Sequence, residues 1–510
     1  MPTISEGLAP RSAERRPCRA RQRRRVTVAV PALAVAMLLQ GCAGPDLQPW
    51  HTEELDEEFS ARDADDFLSL EDYLDMESRL FEELDEKVYA DVPTGPEHAL
   101  NRYSHGSAAD VREAGRDWNR TFELKTDRPK GAVLLIHGMS DSPYSLHTLG
   151  IALNQAGYRV LGLRLPGHGT APSGLRTARW QDMVAAVRLA MNHLSEAVGD
   201  RPVHIFGYST GAVLAIDYAL DAREGLVAVD PASLVLVSPA IAVTRAAAFA
   251  PWQRRLGAVP GFGRFAWLQV EPEFDPYKYN SFSTNAAEQV YRLTQRVRRR
   301  IGPWSPDQPP VLPPTLIFSS AVDATVLADA LPDRFLPRLA PGRHELVLFD
   351  INRFAAPSNL IINDPGPLTR RLLEAPDLPF TVTFVTNGSP ETRAVVALRK
   401  PHGAAATESP VDLGLAWPPG ILSLSHVALP IPPDDPLYGA DPPENPDALY
   451  LGQHAIRGER GLLKIPESWL FRLRHNPFYD YLEARAVGWV EAKTHRTDTG
   501  PGPTRPTGAD

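Results

Sequence analysis

From about residue 120 onward, short apolar runs alternate with segments of helical periodicity, and this alternation constrains the fold more than any other feature. The runs are AVLLIHG, YRVLGLRLPG, VHIFGYS, SLVLVSP, PTLIFSS and HELVLFD, at residues 132–138, 158–167, 203–209, 233–239, 314–320 and 344–350. Patterns such as WQDMVAAVRLAMNHLSEAVG lie between the early ones. Continuous apolar strands joined by helices are typical of a buried, largely parallel sheet. The sequence therefore predicts an α/β domain.

One serine follows a predicted strand directly and precedes a predicted helix, in the segment HIFGYSTGAVLAI. The pattern G-x-S-x-G is weak by itself, but this strand–turn–helix setting is the one that a nucleophilic serine requires. A side chain at Gly207 or Gly211 would collide with the neighbouring strand or helix. The turn also points the positive end of the helix dipole at developing negative charge. Ser209 is therefore the candidate nucleophile.

Several loops resemble those of the α/β-hydrolase superfamily, in the branch that contains monoacylglycerol lipases, carboxylesterases and S33-type serine aminopeptidases. The oxyanion loop of that branch is similar to HGMSDSP, which implies the backbone N–H groups of Met139 and Thr210 as oxyanion donors. Its acid loop is similar to SSAVDATV, which implies Asp323 as the acid, and a GHG loop is similar to RLPGHGTAP. The resemblance covers about residues 120–430. It implies an α/β-hydrolase fold, with a mostly parallel central sheet flanked by helices.

The general base has several candidates, because six histidines follow Asp323. The segment SHVAL around His426 resembles the histidine loop of bacterial hydrolases of this branch. The order Ser209, Asp323, His426 is also the order that this fold uses. His402 and His454 remain the alternatives.

Two histidines precede the serine, which is the wrong order for a general base in this fold. His137 is interpreted as a structural residue that bonds the oxyanion loop in place. His168, between two glycines, is interpreted as a turn-stabilising residue.

Two long segments interrupt the predicted α/β domain of residues 120–490. Residues 240–310 are rich in aromatic and turn-forming residues and predict a cap over the sheet; an ordinary insertion with its own small core is the alternative. Residues 352–420 form a second insertion, with a possible strand pair around Asn387–Gly388. Residues 491–510 are predicted to be a disordered tail.

The N-terminus carries a basic leader and then the apolar run VTVAVPALAVAMLL, which is too short for a permanent membrane span and fits a signal peptide. The segment LLQGCAG that ends it resembles a bacterial lipobox. The resemblance implies a lipoprotein signal peptide over residues 1–41 and lipid attachment, palmitate included, at Cys42. Ala43, the residue after Cys42, resembles the residue that directs lipoproteins of Gram-negative bacteria to the outer membrane. An exported lipoprotein on the periplasmic side or cell surface is expected, with a plain secretory signal or a short anchor as the alternative.

Residues 51–90 hold sixteen acidic and three basic residues. Apolar residues recur there at helical spacing, which predicts an acidic helix with one apolar face: Phe67, Leu70, Leu74, Phe81, Leu84 and Val88. A tether over residues 42–64 and a helical extension over 65–119 are expected, with the helix packed on the domain; partner binding is the alternative. The acidic chain is a poor candidate for nucleic-acid binding.

The resemblance implies a membrane-anchored serine hydrolase that cleaves carboxylic esters, such as lipid or lysophospholipid esters, through an acyl-enzyme. No cofactor or metal is expected, because Cys42 would be the one cysteine left after processing and ligand spacings typical of metal sites are absent. An amide or peptide hydrolase of the same fold is one alternative. A non-catalytic surface lipoprotein that uses the scaffold for binding is the other. The sequence leaves the oligomeric state open.

Overall fold

The computed structural model describes residues 46–62, 69–113, 117–242, 263–302, 312–326, 329–355, 361–445, 448–452 and 471–497. The predicted signal peptide, Cys42 and His454 lie outside the described residues. Among the described residues, no helix is both long and apolar enough to cross a membrane.

A ten-stranded sheet forms the centre of the described chain. Its strands are β1 (Phe122–Leu124), β2 (Ala132–Ile136), β3 (Arg159–Leu163), β4 (Val203–Tyr208), β5 (Leu234–Val237), β8 (Thr315–Ser320), β9 (His344–Phe349), β10 (Thr381–Asn387), β11 (Ala394–Lys400) and β12 (Val411–Ala416); β6 (Trp267–Gln269) and β7 (Phe282–Ser283) form a separate pair. The order is β1-β3-β2-β4-β5-β8-β9-β10-β11-β12. From β3 to β10 all neighbours are parallel, while β1, β11 and β12 pair antiparallel.

Helices cover both faces of this sheet. Those of the described chain are α1 (Pro49–Thr52), α2 (Leu70–Lys87), α3 (His147–Gln155), α4 (Gly174–Thr177), α5 (Trp180–Val198), α6 (Thr210–Arg223), α7 (Thr284–Ile301), α8 (Gly366–Glu374) and α9 (Tyr479–Thr497). Successive residues of a strand point to opposite faces, so a strand buried on both sides must be apolar throughout. In β2, Leu134 and Ile136 pack with α5 and α6, whereas Val133 and Leu135 pack with α3 and α9.

The segment predicted as a second insertion extends the central sheet. Strand β10 pairs parallel to β9, and β11 and β12 then continue the sheet as an antiparallel edge. The predicted strand pair is present as β10 and β11, paired from Val382–Lys400 to Asn387–Val395. This addition moves the sheet edge outward and places residues 417–430 after the last strand.

The C-terminal helix α9 runs into the segment predicted as a disordered tail. It stays helical to Thr497 because its inner face is packed: Val490 and Thr494 are buried. The Thr494 hydroxyl bonds the Tyr158 hydroxyl at 2.9 Å and the His204 ring at 3.0 Å. The Pro- and Gly-rich residues 498–510 lie outside the described residues.

The acidic helix α2 lies against the α/β domain. Its N-cap is Ser69, whose hydroxyl accepts from the backbone N–H of Asp72, and its inner face buries Tyr73 and Leu80 among other apolar residues. The predicted start of this helix at residue 65 lies outside the described residues. Burial of this face leaves its acidic residues mainly on the outside, as an amphipathic surface helix requires.

The segment predicted as a tether and helix α2 together neutralise a buried arginine of the domain. Arg164, which follows β3, is 1% exposed and forms ion pairs at 2.9 Å with both Glu58 and Glu77. Its backbone carbonyl accepts from the Tyr73 hydroxyl at 2.7 Å. Since a buried charge without a partner is costly, these two acids are part of the domain's folding unit.

The described parts of the predicted cap are residues 240–242 and 263–302. Its basic helix α7 packs on α6, the helix that follows Ser209, and Arg296 and Arg300 reach the buried Asp217 and Asp221. The basic pattern of this segment therefore serves to dock the helix. Residues 243–262 and 303–311 lie outside the described residues.

Candidate active site

Ser209 sits on a sharp turn between β4 and α6. Its φ is 54°, in the left-handed region that L-residues rarely adopt. A Cβ on Gly211 would lie 2.1 Å from the Ile136 carbonyl oxygen, and one on Gly207 would lie 2.6 Å from the Ala212 Cα. The two glycines therefore allow this turn to form, as the sequence pattern predicts.

His426 contacts both other members of the predicted constellation. It begins a short 3₁₀ turn, His426–Ala428, in the loop after β12. Its Nε2 lies 3.1 Å from the Ser209 Oγ, and its Nδ1 lies 2.7 Å from the Asp323 Oδ2. All three side chains meet at the carboxyl edge of the sheet, where open α/β sheets bind ligands.

Asp323 lies on the loop after β8 and is almost completely buried. Burial raises its pKa, but the hydrogen bond from His426 and the backbone N–H groups of Val326 and Thr325 lower it further, so the pKa lies below its usual value. The carboxylate is therefore ionised at neutral pH and accepts the Nδ1 proton of His426. This tautomer leaves the Nε2 lone pair directed at the Ser209 hydroxyl.

Met139 and Thr210, the predicted oxyanion donors, line the same cavity as Ser209. Thr210 is the first residue of α6, where backbone N–H groups have no partner within the helix. The loop that carries Met139 passes close to the serine, because a Cβ on Gly138 would lie 3.1 Å from the Ser209 Cβ. Both residues thus lie beside Ser209, and their role as oxyanion donors stays a prediction.

Two residues of the cap segment hold the oxyanion loop. The backbone N–H of Tyr279 donates to the Ser140 carbonyl at 2.8 Å, and Lys278 pairs with Asp141 at 3.1 Å. Ser140 has a φ of 62°, so the loop is strained at the residue next to Met139. Sequence reasoning missed these contacts, because nothing local links residues that are 137 positions apart.

His137 and His168 are buried behind this loop. The Nδ1 of His137 donates to the Gly138 carbonyl at 2.8 Å, and its Nε2 accepts from the Leu165 backbone N–H at 3.1 Å. His168 bonds the Pro166 carbonyl, and burial lowers its pKa to about 4. Both rings are held by backbone groups, in keeping with their interpretation as structural residues.

His402, the alternative base, lies at the other end of the sheet. Its exposed ring is beside Gly342, which precedes the start of β9 at His344. The amino ends of parallel strands face away from the edge that carries Ser209. The structure therefore does not bring His402 to the serine.

The cavity above Ser209 has a volume of about 500 Å³. Its apolar lining includes Met139, Leu268, Phe282 and Val290. Its charged lining is Asp141, Asp275, Lys278, Arg472 and Arg474. Across the part of the chain that the structure describes, no cluster of three His, Cys, Asp or Glu side chains is placed to hold a metal ion.

Comparison with known proteins shows which family the central part of the chain is similar to. Residues 127–350 match the family model described as Serine aminopeptidase, S33. A thermostable monoacylglycerol lipase of Bacillus sp. (strain H-257) is 31% identical over 110 residues, which are 22% of this chain and 43% of that lipase. The aligned part thus spans less than half of the lipase. Together with the sheet topology, the family match confirms the predicted α/β-hydrolase fold.

Solved structures overlap with a little less than half of the chain. A monoacylglycerol lipase of Paleococcus ferrophilus gives a TM-score of 0.34 at 19% identity, over 45% of this chain and 88% of that one. A soluble variant of the Saccharomyces cerevisiae monoglyceride lipase gives 0.36 at 15% identity, over 45% and 81%. The family match ends at residue 350, so it includes Ser209 and Asp323 but not His426.

Proposed function

We propose that this α/β-hydrolase-fold protein is a serine hydrolase that cleaves carboxylic esters. Ser209 is the nucleophile and His426 is the general base. Asp323 orients the imidazole of His426 and stabilises its protonated form. The observation that carries the proposal is the double contact of His426, with Nε2 3.1 Å from the serine oxygen and Nδ1 2.7 Å from the carboxylate. A base held by a third group against a nucleophile is the arrangement that acyl transfer by serine requires.

In the acylation step, His426 Nε2 takes the hydroxyl proton of Ser209 while Oγ bonds to the carbonyl carbon of the ester. The carbonyl oxygen becomes an oxyanion, which the N–H groups of Met139 and Thr210 stabilise; one such donor contributes about 2.7–4 kcal/mol. Collapse of this intermediate breaks the ester C–O bond, and the alcohol leaves with the proton from His426. Water, deprotonated by the same ring, then hydrolyses the acyl-enzyme and releases the acid.

An ester with an acyl chain is the substrate class that the cavity favours. Leu268, Phe282 and Val290 come from the cap segment and give the cavity an apolar wall near the serine. Burial of an acyl chain on such a wall is favourable by roughly 0.8 kcal/mol for each methylene. The similarity of 110 residues of the chain to a monoacylglycerol lipase agrees with this class.

Amide hydrolysis is the main enzymatic alternative, since the matching family is described as a serine aminopeptidase. Release of an N-terminal amino acid, the reaction of an aminopeptidase, needs a carboxylate that is free to bind the cationic amino terminus. Asp141 and Asp275 line the cavity, but Lys278 and Arg474 already pair with them at 3.1 and 3.3 Å. The charges of the described cavity therefore favour the ester hydrolase.

The activity test uses p-nitrophenyl esters from acetate to palmitate, beside the corresponding p-nitroanilides, with the full-length protein. We expect ester turnover, covalent labelling by a fluorophosphonate, and loss of both in Ser209→Ala. Ser78→Ala, at an exposed position of α2, is the matched control and should behave as the wild type. Folded protein that neither labels nor hydrolyses any ester would support the non-catalytic alternative, and preferential anilide cleavage would support the amide hydrolase.

We also propose that the protein is an exported lipoprotein, anchored through acylated Cys42 and sorted to the outer membrane, which would place the cavity near lipid esters. The support is the lipobox resemblance alone. Radioactive palmitate should label the wild type and Cys18→Ser but not Cys42→Ser in a Gram-negative host. Equal labelling of the two cysteine variants would contradict this proposal and leave the activity test unaffected.

A further inference from the structure

Most of the charged residues that line the cavity neutralise each other. Lys278 pairs with Asp141 at 3.1 Å, and Arg474 pairs with Asp275 at 3.3 Å. Asp275 also accepts a hydrogen bond from the Tyr438 hydroxyl. These two pairs leave little net charge for a ligand to meet.

Arg472 is different, because within the described residues no carboxylate lies at ion-pair distance from it. Its guanidinium lines the cavity together with Ser209 and His426. Its one hydrogen bond in the described chain runs from Nη2 to the Thr325 hydroxyl, at 3.3 Å. Since a guanidinium carries five N–H donors, most of its capacity is unused.

Asp323 is the nearest candidate counter-ion, but its oxygens are occupied. They accept from the His426 ring and from the backbone N–H groups of Thr325 and Val326, and the side chain is fully buried. Arg472 touches the same loop only through the Thr325 hydroxyl. Burial and the nearby Arg474 lower the pKa of Arg472 more than the electrostatic effects of Tyr208 and Asp323 raise it.

We propose that Arg472 binds an anionic group of the substrate, a carboxylate or a phosphate, and so selects esters that carry both an acyl chain and a negative charge. This inference rests on the proposed ester hydrolase activity. The planar guanidinium matches two oxygens of either group at once. The apolar residues Leu268, Phe282 and Val290 meanwhile take the acyl chain. Arg472 is thus a specificity-determining residue that comes from a different part of the chain than the cap.

The test compares matched esters that differ by one charge. In the acyl arm, mono-p-nitrophenyl adipate is compared with p-nitrophenyl hexanoate. In the alcohol arm, a lysophosphatidic acid is compared with the monoacylglycerol of the same chain length. We expect the wild type to prefer the anionic member in one arm, which identifies whether a carboxylate on the acyl side or a phosphate on the alcohol side is bound.

Arg472→Gln should lower the ratio of kcat/KM for the anionic ester to that for the neutral ester by about 10- to 100-fold. Arg472→Lys keeps the charge but loses the planar fork, so its ratio should fall by a smaller factor. Arg201→Gln is the matched control: this exposed arginine precedes β4 at the opposite edge of the sheet, and its variant should keep the wild-type ratio. Labelling by a neutral fluorophosphonate verifies that each variant is folded.

Equal losses on neutral and anionic esters would overturn the inference, because Arg472 would then act through the acid loop and not on the substrate. An unchanged ratio in both Arg472 variants would overturn it as well. If Arg472→Gln does not fold, the ratio of Arg472→Lys decides by the same criterion. A wild type that hydrolyses none of the four esters would instead refute the proposed function, so the two failures are distinguishable.

Discussion

The nucleophile and the base of the candidate site are positioned in opposite ways. Ser209 is placed by a handful of contiguous residues, since Gly207 and Gly211 permit a turn that the chain makes between β4 and α6. His426 lies 217 positions later, beyond three strands that extend the sheet. One half of the site is thus a local property of the chain, and the other depends on tertiary contacts.

The contacts that hold the histidine loop come from several distant elements. The Ser320 hydroxyl at the end of β8 donates to the Leu424 carbonyl at 2.9 Å, and the Asn352 amide donates to the Ile421 carbonyl at 2.9 Å. On the other side, the Asn476 amide donates to the Leu429 carbonyl at 3.2 Å. A general base can therefore lie far from its nucleophile in the sequence when side-chain hydrogen bonds hold the loop of the base against neighbouring elements.

The largest effect is expected when the general base is removed. His426→Ala should lower kcat by about 10⁵- to 10⁶-fold, because the serine then lacks a proton acceptor. His402→Ala should retain full activity, since its ring lies at the other end of the sheet. Measurement of kcat on a p-nitrophenyl ester checks both variants, and a loss confined to His402→Ala would show that the base is misassigned.

The next largest effect is expected when His426 is present but is no longer oriented correctly. Asp323→Asn should lower kcat by about 10⁴-fold, because an amide stabilises the wrong tautomer of His426. The pKa of Asp323 lies below its usual value, so the wild-type carboxylate is ionised throughout the neutral range. A large deficit should therefore be present at both about pH 6 and about pH 8. A deficit that disappears at either pH would contradict this role.

The turn that carries Ser209 can be tested by the addition of one methyl group. Gly211→Ala places a Cβ about 2.1 Å from the Ile136 carbonyl oxygen, so we expect the free energy of unfolding to fall by about 3 kcal/mol or more. Gly488→Ala, in the middle of α9 with open space around it, is the control and should be neutral or stabilising by about 0.5–1 kcal/mol. Chemical denaturation measures both; a stable Gly211→Ala would mean that the turn tolerates a side chain.

The tertiary contacts that hold the histidine loop can be tested with a smaller change. Ser320→Ala leaves the Leu424 carbonyl without its partner, at a cost of about 1–3 kcal/mol in stability, and we expect kcat to fall by roughly 10-fold as the histidine loop shifts. Ser319→Ala is the control, because that hydroxyl bonds the adjacent Ser320 carbonyl and does not reach the loop. Similar kcat values in the two variants would argue against positioning by Ser320.

The sequence predicts the parts of the site that follow a strand directly. Ser209 comes directly after a buried strand and Asp323 three residues after another, so their place at the carboxyl edge follows from the apolar runs alone. His426 could be proposed only by its resemblance to a family loop. The strand β12 was missed because its VDLGLA residues are mainly exposed and joined to the sheet by backbone hydrogen bonds, which leave no apolar pattern.

Other features lie beyond a single sequence because they are pairings between distant residues. Lys278 and Asp141 are individually ordinary surface-type residues, and Arg472 gains significance only through the absence of a carboxylate beside it in the described cavity. The helix α9 reaches Thr497 because Thr494 is buried against Tyr158 and His204, a contact that tail composition does not reveal.

The ion pairs of Arg164 have a practical consequence for anyone who shortens this protein to its central α/β domain. A fragment that starts at residue 120 would discard Glu58, Glu77 and Tyr73, and would leave a guanidinium sealed inside a domain with no acid to meet it. Such a fragment would expose apolar surface and precipitate during purification. Recombinant versions that omit the predicted signal peptide should therefore begin ahead of Asp46, so that the acidic segment remains attached.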